Sequence, residues 1–370
     1  MTARNDVPEL YPANDLDYAV PPGETLKELL EERGMSQRDL AARTGLSPKH
    51  VNQLVHGLVP LSADIAMRLE TVTGTPARLW NRMEADYRTS LQRLRQHRDW
   101  AQYEAWLDEQ PVKDLVKRGY LPEGRTNKAT RIEQLLSFFS VATIEAWHDV
   151  YIQPVAAFRK SSSLESKTAS LAAWLRLGEI KAQEVRCKAF DPRGLRSALP
   201  QLRALTVEPP EVFEPKMVEI CAQYGVAVVF VAEIKGCRTS GATLRRGPCK
   251  IIILSLRHKT DDHLWFTFFH EIGHLLLHGD DKVRIDVALT QDADDQQEQE
   301  ANEFAADLLI PREQKHRLTG LRSKVAVIDF ARELGIAPGI VVGRLQRDKH
   351  RAWPWENGNG LKRKFELTEV

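Results

Sequence analysis

The 370-residue chain has little cysteine, almost no net charge and no long apolar run. Its four cysteines, Cys187, Cys221, Cys237 and Cys249, include no C-x-x-C pair, which argues against both a disulfide framework and a thiolate zinc site. A net charge of +1 gives no global attraction to nucleic acid, so any DNA binding must come from a local surface. No apolar stretch approaches the roughly 20 residues needed to span a bilayer. The first residues, MTARNDVPELYPANDLDY, lack the architecture of a signal peptide. A cytoplasmic protein with no membrane partner is therefore expected. What is present is 42% hydrophobic, enough to fill the cores of two or three domains at this length.

Phe268 to Asp280 reads FFHEIGHLLLHGD and sets His270, Glu271 and His274 in the order H-E-x-x-H inside an apolar run of helical length. Residues i and i+4 lie nearly above one another on an α-helix, so both imidazoles can reach a single Zn²⁺. Glu271 then falls beside the metal, placed to take a proton from an attacking water and pass it on. The run from Leu264 to Leu277 is too apolar for a solvated face, and charged groups buried in it need a partner such as a metal.

A catalytic zinc keeps three protein ligands and an open position, so one ligand must come from elsewhere in the chain. Gln297 to Pro311, QEQEANEFAADLLIP, carries Ala301, Phe304, Ala305, Leu308 and Leu309 at helical spacing, with Glu298 and Glu300 near its start. Glu298 shares a face with Asn302, which predicts Glu298 as the ligand and Asn302 as the hydrogen-bond partner of a ligating histidine. Glu300 is the alternative ligand.

These helices follow YGVAVVFVAEIKG, GCRTSGAT and CKIIILSLR in a fixed order. On these motifs the segment from about Tyr224 to Pro311 resembles the ImmA/IrrE class of metallo-endopeptidases. The resemblance implies a zinc peptidase of the gluzincin kind that cleaves protein regulators, often a helix-turn-helix repressor. Its pattern of Glu followed four residues later by Asn or Asp favours Glu298. No residue is marked by spacing as the oxyanion partner. Val226 to Val231 and Ile251 to Leu254 read as buried strands, Ala242 to Arg245 as a third, and a helix is expected around Phe213 to Tyr224. Asp292 to Gln299 is expected to loop near the cleft. SKVAVIDFARELG and APGIVVGRLQRD predict a closing helical pair, and GLKRKFEL a basic edge or a solvated tail.

At the other end, Ser36 with Asp39 three residues on reads as a capping box, and Ser47 followed by Pro48 opens another helix that Gly57 closes. Ala41, Gly45, Leu46, Val51 and Leu54 have the spacing that packs two helices across a tight turn, a helix-turn-helix. The motif MSQRDLAARTGLSPKHVNQLVHG is similar, over roughly Pro21 to Leu94, to Xre-type DNA-binding domains and more closely to HigA-type antitoxins. By that likeness Lys49, His50, Asn52 and Gln53 face base edges of double-stranded operator DNA, Gln37, Arg38 and Arg43 hold phosphates, and the domain binds as a homodimer. A bundle used only for protein contacts is the other reading of the same pattern.

The expected architecture is multidomain and mainly α. It has a flexible start (1–20), an all-α helix-turn-helix bundle (21–95), a helical connecting region (96–210), a small α+β gluzincin-like peptidase domain (211–350) and a C-terminal tail (351–370). Trp106, Trp147 and Trp174 read as core anchors of the connecting region, with Arg159 to Ser163 and Glu208 to Pro210 as exposed links. Such a chain would hydrolyse a peptide bond in a regulatory protein, a toxin or repressor, or in itself at Arg159 to Ser163 or around Val207 to Val212. The competing expectation is a non-catalytic, antitoxin-like transcriptional repressor whose peptidase-like domain senses or binds a partner.

Overall fold

The computed structural model describes residues 19–153, 168–255, 260–278, 284–286, 296–348 and 359–365. Contacts divide the chain into two compact units, Met1–Leu107 with Thr126–Ile132, and Asp108–Arg125 with Glu133–Val370. No helix among the described residues is long and apolar enough to cross a membrane.

The first unit is helical: α1 (Pro22–Glu32), α2 (Gln37–Thr44), α3 (Pro48–Val55), α4 (Ala63–Thr73) and α5 (Ala77–Trp100). Local chemistry sets the boundaries. Ser36 and Asp39 form a reciprocal capping box at the start of α2, and Gly45 ends it in the left-handed region at φ 71°. Ser47 accepts from the His50 N–H at 3.1 Å, with Pro48 in the first helical position. Leu26, Leu40, Val51, Leu69 and Trp80 are buried together and hold the helices around one core.

Short helices follow at Glu104–Glu109 (α6), Val112–Lys117 (α7), Lys128–Phe139 (α8) and Ile144–Trp147 (α9). The second unit then continues with α10 (Thr168–Ala182), α11 (Pro192–Ala204) and α12 (Pro210–Gln223). After these come β1 (Val226–Phe230), β2 (Gly241–Arg246), β3 (Cys249–Leu254), α13 (Asp261–Leu277), β4 (Arg284–Asp286), α14 (Gln296–Leu309), α15 (Lys324–Leu334) and α16 (Pro338–Arg347). The four strands form one sheet in the order β1-β3-β2-β4, with β1 parallel to β3 and the other pairs antiparallel.

Alternation in the strands feeds two layers. Val226, Val228, Ile252 and Leu254 join the core built by α11, α12, α13 and α16, whereas Ile253 faces α10. Gly178 lets α10 lie against that face, because a Cβ there would sit 2.1 Å from Ile253 Cδ1. Trp174 on the same helix donates from Nε1 to the Val231 carbonyl at 3.1 Å.

Contacts do not separate the expected connecting region of 96–210 as a unit of its own. Leu195, Ala198, Leu199 and Leu202 of α11 pack in one core with Trp265 and Phe268 of α13, so the apolar face of this helix finds its partners within the second unit. Trp106, Trp147 and Trp174 are all buried, as expected of core anchors.

Three further expectations change. Residues 296–299 are not loop but the first turn of α14; residues 292–295, like 159–163, lie outside the described residues. Glu208 to Pro210 is exposed at Pro209 but is tied down, since Arg363 Nη1 donates to the carbonyls of Val207 at 2.8 Å and Glu208 at 3.1 Å, and Pro210 already begins α12. The described part of the basic segment near the C-terminus is only partly solvated: Arg363 and Lys364 are exposed, but the segment is anchored. Lys362 pairs with Asp262 at 2.7 Å, the Arg363 carbonyl accepts from the Asp261 N–H at 3.0 Å, and Phe365 is buried against Phe213.

Candidate metal centre and helix-turn-helix surface

Helix α13 is buried along nearly its whole length, which a charged motif can tolerate only if its polar groups meet one another. One side carries Leu264, Trp265, Phe268, Phe269 and Ile272 into the core. His270, Glu271 and His274 are at most 3% exposed. Ala301 and Ala305, fully buried on α14, leave the two helices room to lie close.

This packing brings three side chains together. His270 Nε2 and His274 Nε2 are 2.9 Å apart. Glu298 places Oε2 3.3 Å from the first nitrogen and Oε1 3.2 Å from the second. Ligands about 2.0–2.1 Å from a tetrahedral zinc stand about 3.3 Å from each other, so the donor set and its spacing fit such an ion. Burial alone would push the Glu298 carboxyl up, but hydrogen bonds and charge from the two imidazoles outweigh it and hold the group well below the usual carboxylate range. A carboxylate that stays ionised here is suited to balance a cation.

Glu300 is not brought to this cluster. It lies two residues on, roughly 200° around the helix. There its half-exposed carboxylate meets His278 Nδ1 at 3.6 Å and accepts from Gln296 Nε2 at 2.8 Å. His278 in turn reaches the Gln297 carbonyl at 3.1 Å, tying the end of α13 to the start of α14. Asn302 departs from its expected part: its side-chain oxygen is buried without a hydrogen-bond partner, so it accepts nothing from a histidine ring. The Asn302 side chain instead lines a cavity beyond the cluster, together with Phe266.

Two residues that sequence reasoning passed over shape the surroundings of Glu271. The Thr243 hydroxyl donates a hydrogen bond to Glu271 Oε2. Gly241, two residues earlier and hence on the same face of β2, leaves space for the carboxylate, because a Cβ there would sit 2.5 Å from Glu271 Oε1. The signal that pointed to them was the GCRTSGAT segment, which marked the region without assigning roles.

In the first unit, α2 and α3 pack across the Gly45 turn, and Asn52 Nδ2 donates to Gln37 Oε1 at 3.4 Å, which puts these two on one surface. Arg38, Arg43, Lys49 and Asn52 are exposed, and Gln37 and Gln53 are half-buried. His50 is turned partly inward, its Nε2 enclosed without a hydrogen-bond partner, so it is the least available of the set.

Residues 221–346 match a peptidase family model described as IrrE N-terminal-like domain, and residues 26–80 match one described as helix-turn-helix. The first segment contains His270, Glu271, His274 and Glu298; the second contains all the residues of the surface just described. Among curated proteins, virulence-associated protein I of Dichelobacter nodosus is 36% identical over 70 residues, which is 19% of this chain and 65% of that protein. The chain thus spans less than two thirds of that relative's length. Among solved structures, an addiction module antidote protein of a HigA family from Coxiella burnetii is 25% identical, covering 23% of this chain and 92% of that one, at a TM-score of 0.21.

Proposed function

We propose that the second unit is a zinc-dependent endopeptidase and the first a DNA-binding domain, making the chain a regulator that hydrolyses a peptide bond in another regulatory protein. One observation carries the reading. Two imidazole nitrogens and a carboxylate converge at coordination spacing, with the acid–base candidate Glu271 next in sequence to His270 and equally buried. The match of residues 221–346 to a peptidase family supports it.

His270, His274 and Glu298 would hold the ion, which when bound polarises a carbonyl and makes a water more acidic. Glu271 takes the proton of the attacking water and delivers it to the leaving amine. Thr243 orients the Glu271 carboxylate, so the proton acceptor is fixed before substrate arrives. Gln37, Arg38, Arg43, Lys49, His50, Asn52 and Gln53 form the operator-facing surface of a homodimer, phosphate contacts coming from α2 and base contacts from α3. Cleavage falls in another protein rather than at the chain's own 207–212 segment. That segment is held by Arg363 and runs into α12, and a peptidase needs its substrate extended.

The test is to incubate zinc-loaded wild type and Glu271→Gln with candidate repressor and toxin proteins and read fragment masses. Fragments from wild type alone support hydrolysis. Partners bound by a zinc-loaded wild type and left whole would transfer the function to the non-catalytic, sensing reading.

A further inference from the structure

A cavity of about 640 Å³ lies between the start of α13, the middle of α14 and α16, and its lining includes none of His270, Glu271, His274 or Glu298. Its size falls within the ~300–1,000 Å³ typical of small-molecule sites. Two oxygens of its lining residues are enclosed without a hydrogen-bond partner, Asp262 Oδ1 on α13 and Asn302 Oδ1 on α14. Asp262 is 8% exposed. A buried acceptor left unmatched costs about 1–3 kcal/mol, more when it is charged, so both oxygens call for N–H donors.

The remaining polar groups define what else the occupant must carry. The other Asp262 oxygen, Oδ2, holds the Lys362 ammonium at 2.7 Å, and Gly343 packs so closely that a Cβ there would stand 2.4 Å from it, which fixes the carboxylate in place. An ammonium has three N–H bonds, so Lys362 can hold Asp262 and still donate to a carbonyl oxygen. Around them the charges are already answered. Arg344 pairs with Asp348 at 2.7 Å and Glu303 with Arg312 at 3.1 Å, while burial lowers the pKa of His263 and keeps its imidazole neutral. The occupant is therefore uncharged at this end. It presents N–H donors beside an acceptor, the complement of a carboxylate beside an ammonium. The Phe266 ring forms part of the wall, and the flat Arg347 guanidinium lying 4.5 Å over it shows that a planar group fits its face. Ala306, Leu309, Ile310 and Ile340 supply apolar lining for a ring.

We propose that this cavity is a small-molecule binding site separate from the metal cluster, and that it takes the amino-oxopyrimidine ring shared by guanine and pterin. Asp262 accepts from the ring N–H and the amino group, Lys362 donates to the oxo oxygen, and the ring packs against Phe266. Three N–H bonds lie along that edge, enough for Asp262 and Asn302 together. Neither a metal nor peptide hydrolysis is needed for this recognition.

The probes are guanosine, inosine, xanthosine, adenosine and pterin, titrated into the full chain by equilibrium dialysis. The nucleosides share one sugar and nearly one ring shape, so differences among them report the edge. Guanosine should bind about tenfold or more tighter than inosine, which lacks the amino group, and than adenosine, whose edge is reversed. Asp262→Asn should weaken guanosine by a similar factor and tighten xanthosine, whose extra carbonyl can accept from the new amide N–H. Binding of guanosine assigns a nucleoside source and binding of pterin alone a pterin source; either keeps the site. No saturation by guanosine or pterin up to about 1 mM, equal affinities for guanosine, inosine and adenosine, or a guanosine affinity unchanged in Asp262→Asn would each overturn it. Should the variant not fold, the wild-type series decides alone.

Discussion

Asp261 opens α13, yet it is fully buried, and burial followed by the charge of Asp262 raises its pKa from 3.8 to about 7. Its Oδ1 accepts from the Asp262 N–H at 3.0 Å, while Oδ2 has no hydrogen-bond partner. Gly339 of α16 packs so near that a Cβ there would lie 2.2 Å from Oδ1. Lys362 is committed to Asp262, and Arg363 offsets only part of the penalty. The native pKa is above the unfolded one, so the folded state holds the extra proton between about pH 4 and pH 7, and stability falls as pH rises through that window. Three units at 1.36 kcal/mol each amount to about 4 kcal/mol, of which about 3 kcal/mol is lost between about pH 5 and pH 8. Asp261→Asn keeps the shape and removes the ionisation. Urea unfolding of both full-length chains across this range should therefore show the Asn variant gaining on wild type by about 3 kcal/mol as pH rises. A difference that stays constant with pH would refute the assignment of a protonated carboxyl to this site.

Other perturbations follow from single contacts. Arg203 donates to the carbonyls of Leu308 at 2.8 Å, Leu309 at 2.9 Å and Leu334 at 2.7 Å, capping the ends of α14 and α15. Arg203→Met should cost about 2–4 kcal/mol in urea unfolding, discounted because the guanidinium is partly exposed. Thr243→Val should lower kcat by about tenfold to a hundredfold with zinc content unchanged, and Thr243→Ser should restore most of it; equal rates for Val and Ser would leave the hydroxyl without a role. In gel shifts, Asn52→Ala should lose about 1–3 kcal/mol of discrimination at one base position, whereas Arg43→Ala should weaken all sequences alike and flatten the salt slope. Two variants that behave like wild type would remove the DNA-binding assignment of this face.

Features held by short-range chemistry were readable from the chain alone. The Ser36–Asp39 box, the Ser47 cap, the Gly45 turn and the His270–His274 spacing each lie within a few residues, where one helical repeat decides the geometry. Choosing between Glu298 and Glu300 was harder, because both lie in one acidic stretch and the answer depends on how α14 is rotated against α13. Contacts across long separations left no local mark. Thr243 meets Glu271 across 28 residues, Lys362 meets Asp262 across 100, and Arg203 reaches Leu334 across 131. For the same reason 96–210 looked separable: amphipathic helices announce that they have an apolar face, not which core that face will enter. Asn302 lies one turn after Glu298 on α14, but sharing a face does not fix the partner, and it borders the cavity.

Metal content across four chains tests the centre most directly. Wild type, Glu271→Gln and Glu300→Ala should each bind about one zinc per chain, and Glu298→Ala should lose it, because among the described residues only Glu298 closes the pair of imidazoles into a three-ligand set. A Glu298→Ala chain that keeps full zinc, or a Glu271→Gln chain that loses it, would contradict the division of the carboxylates into ligand and proton carrier.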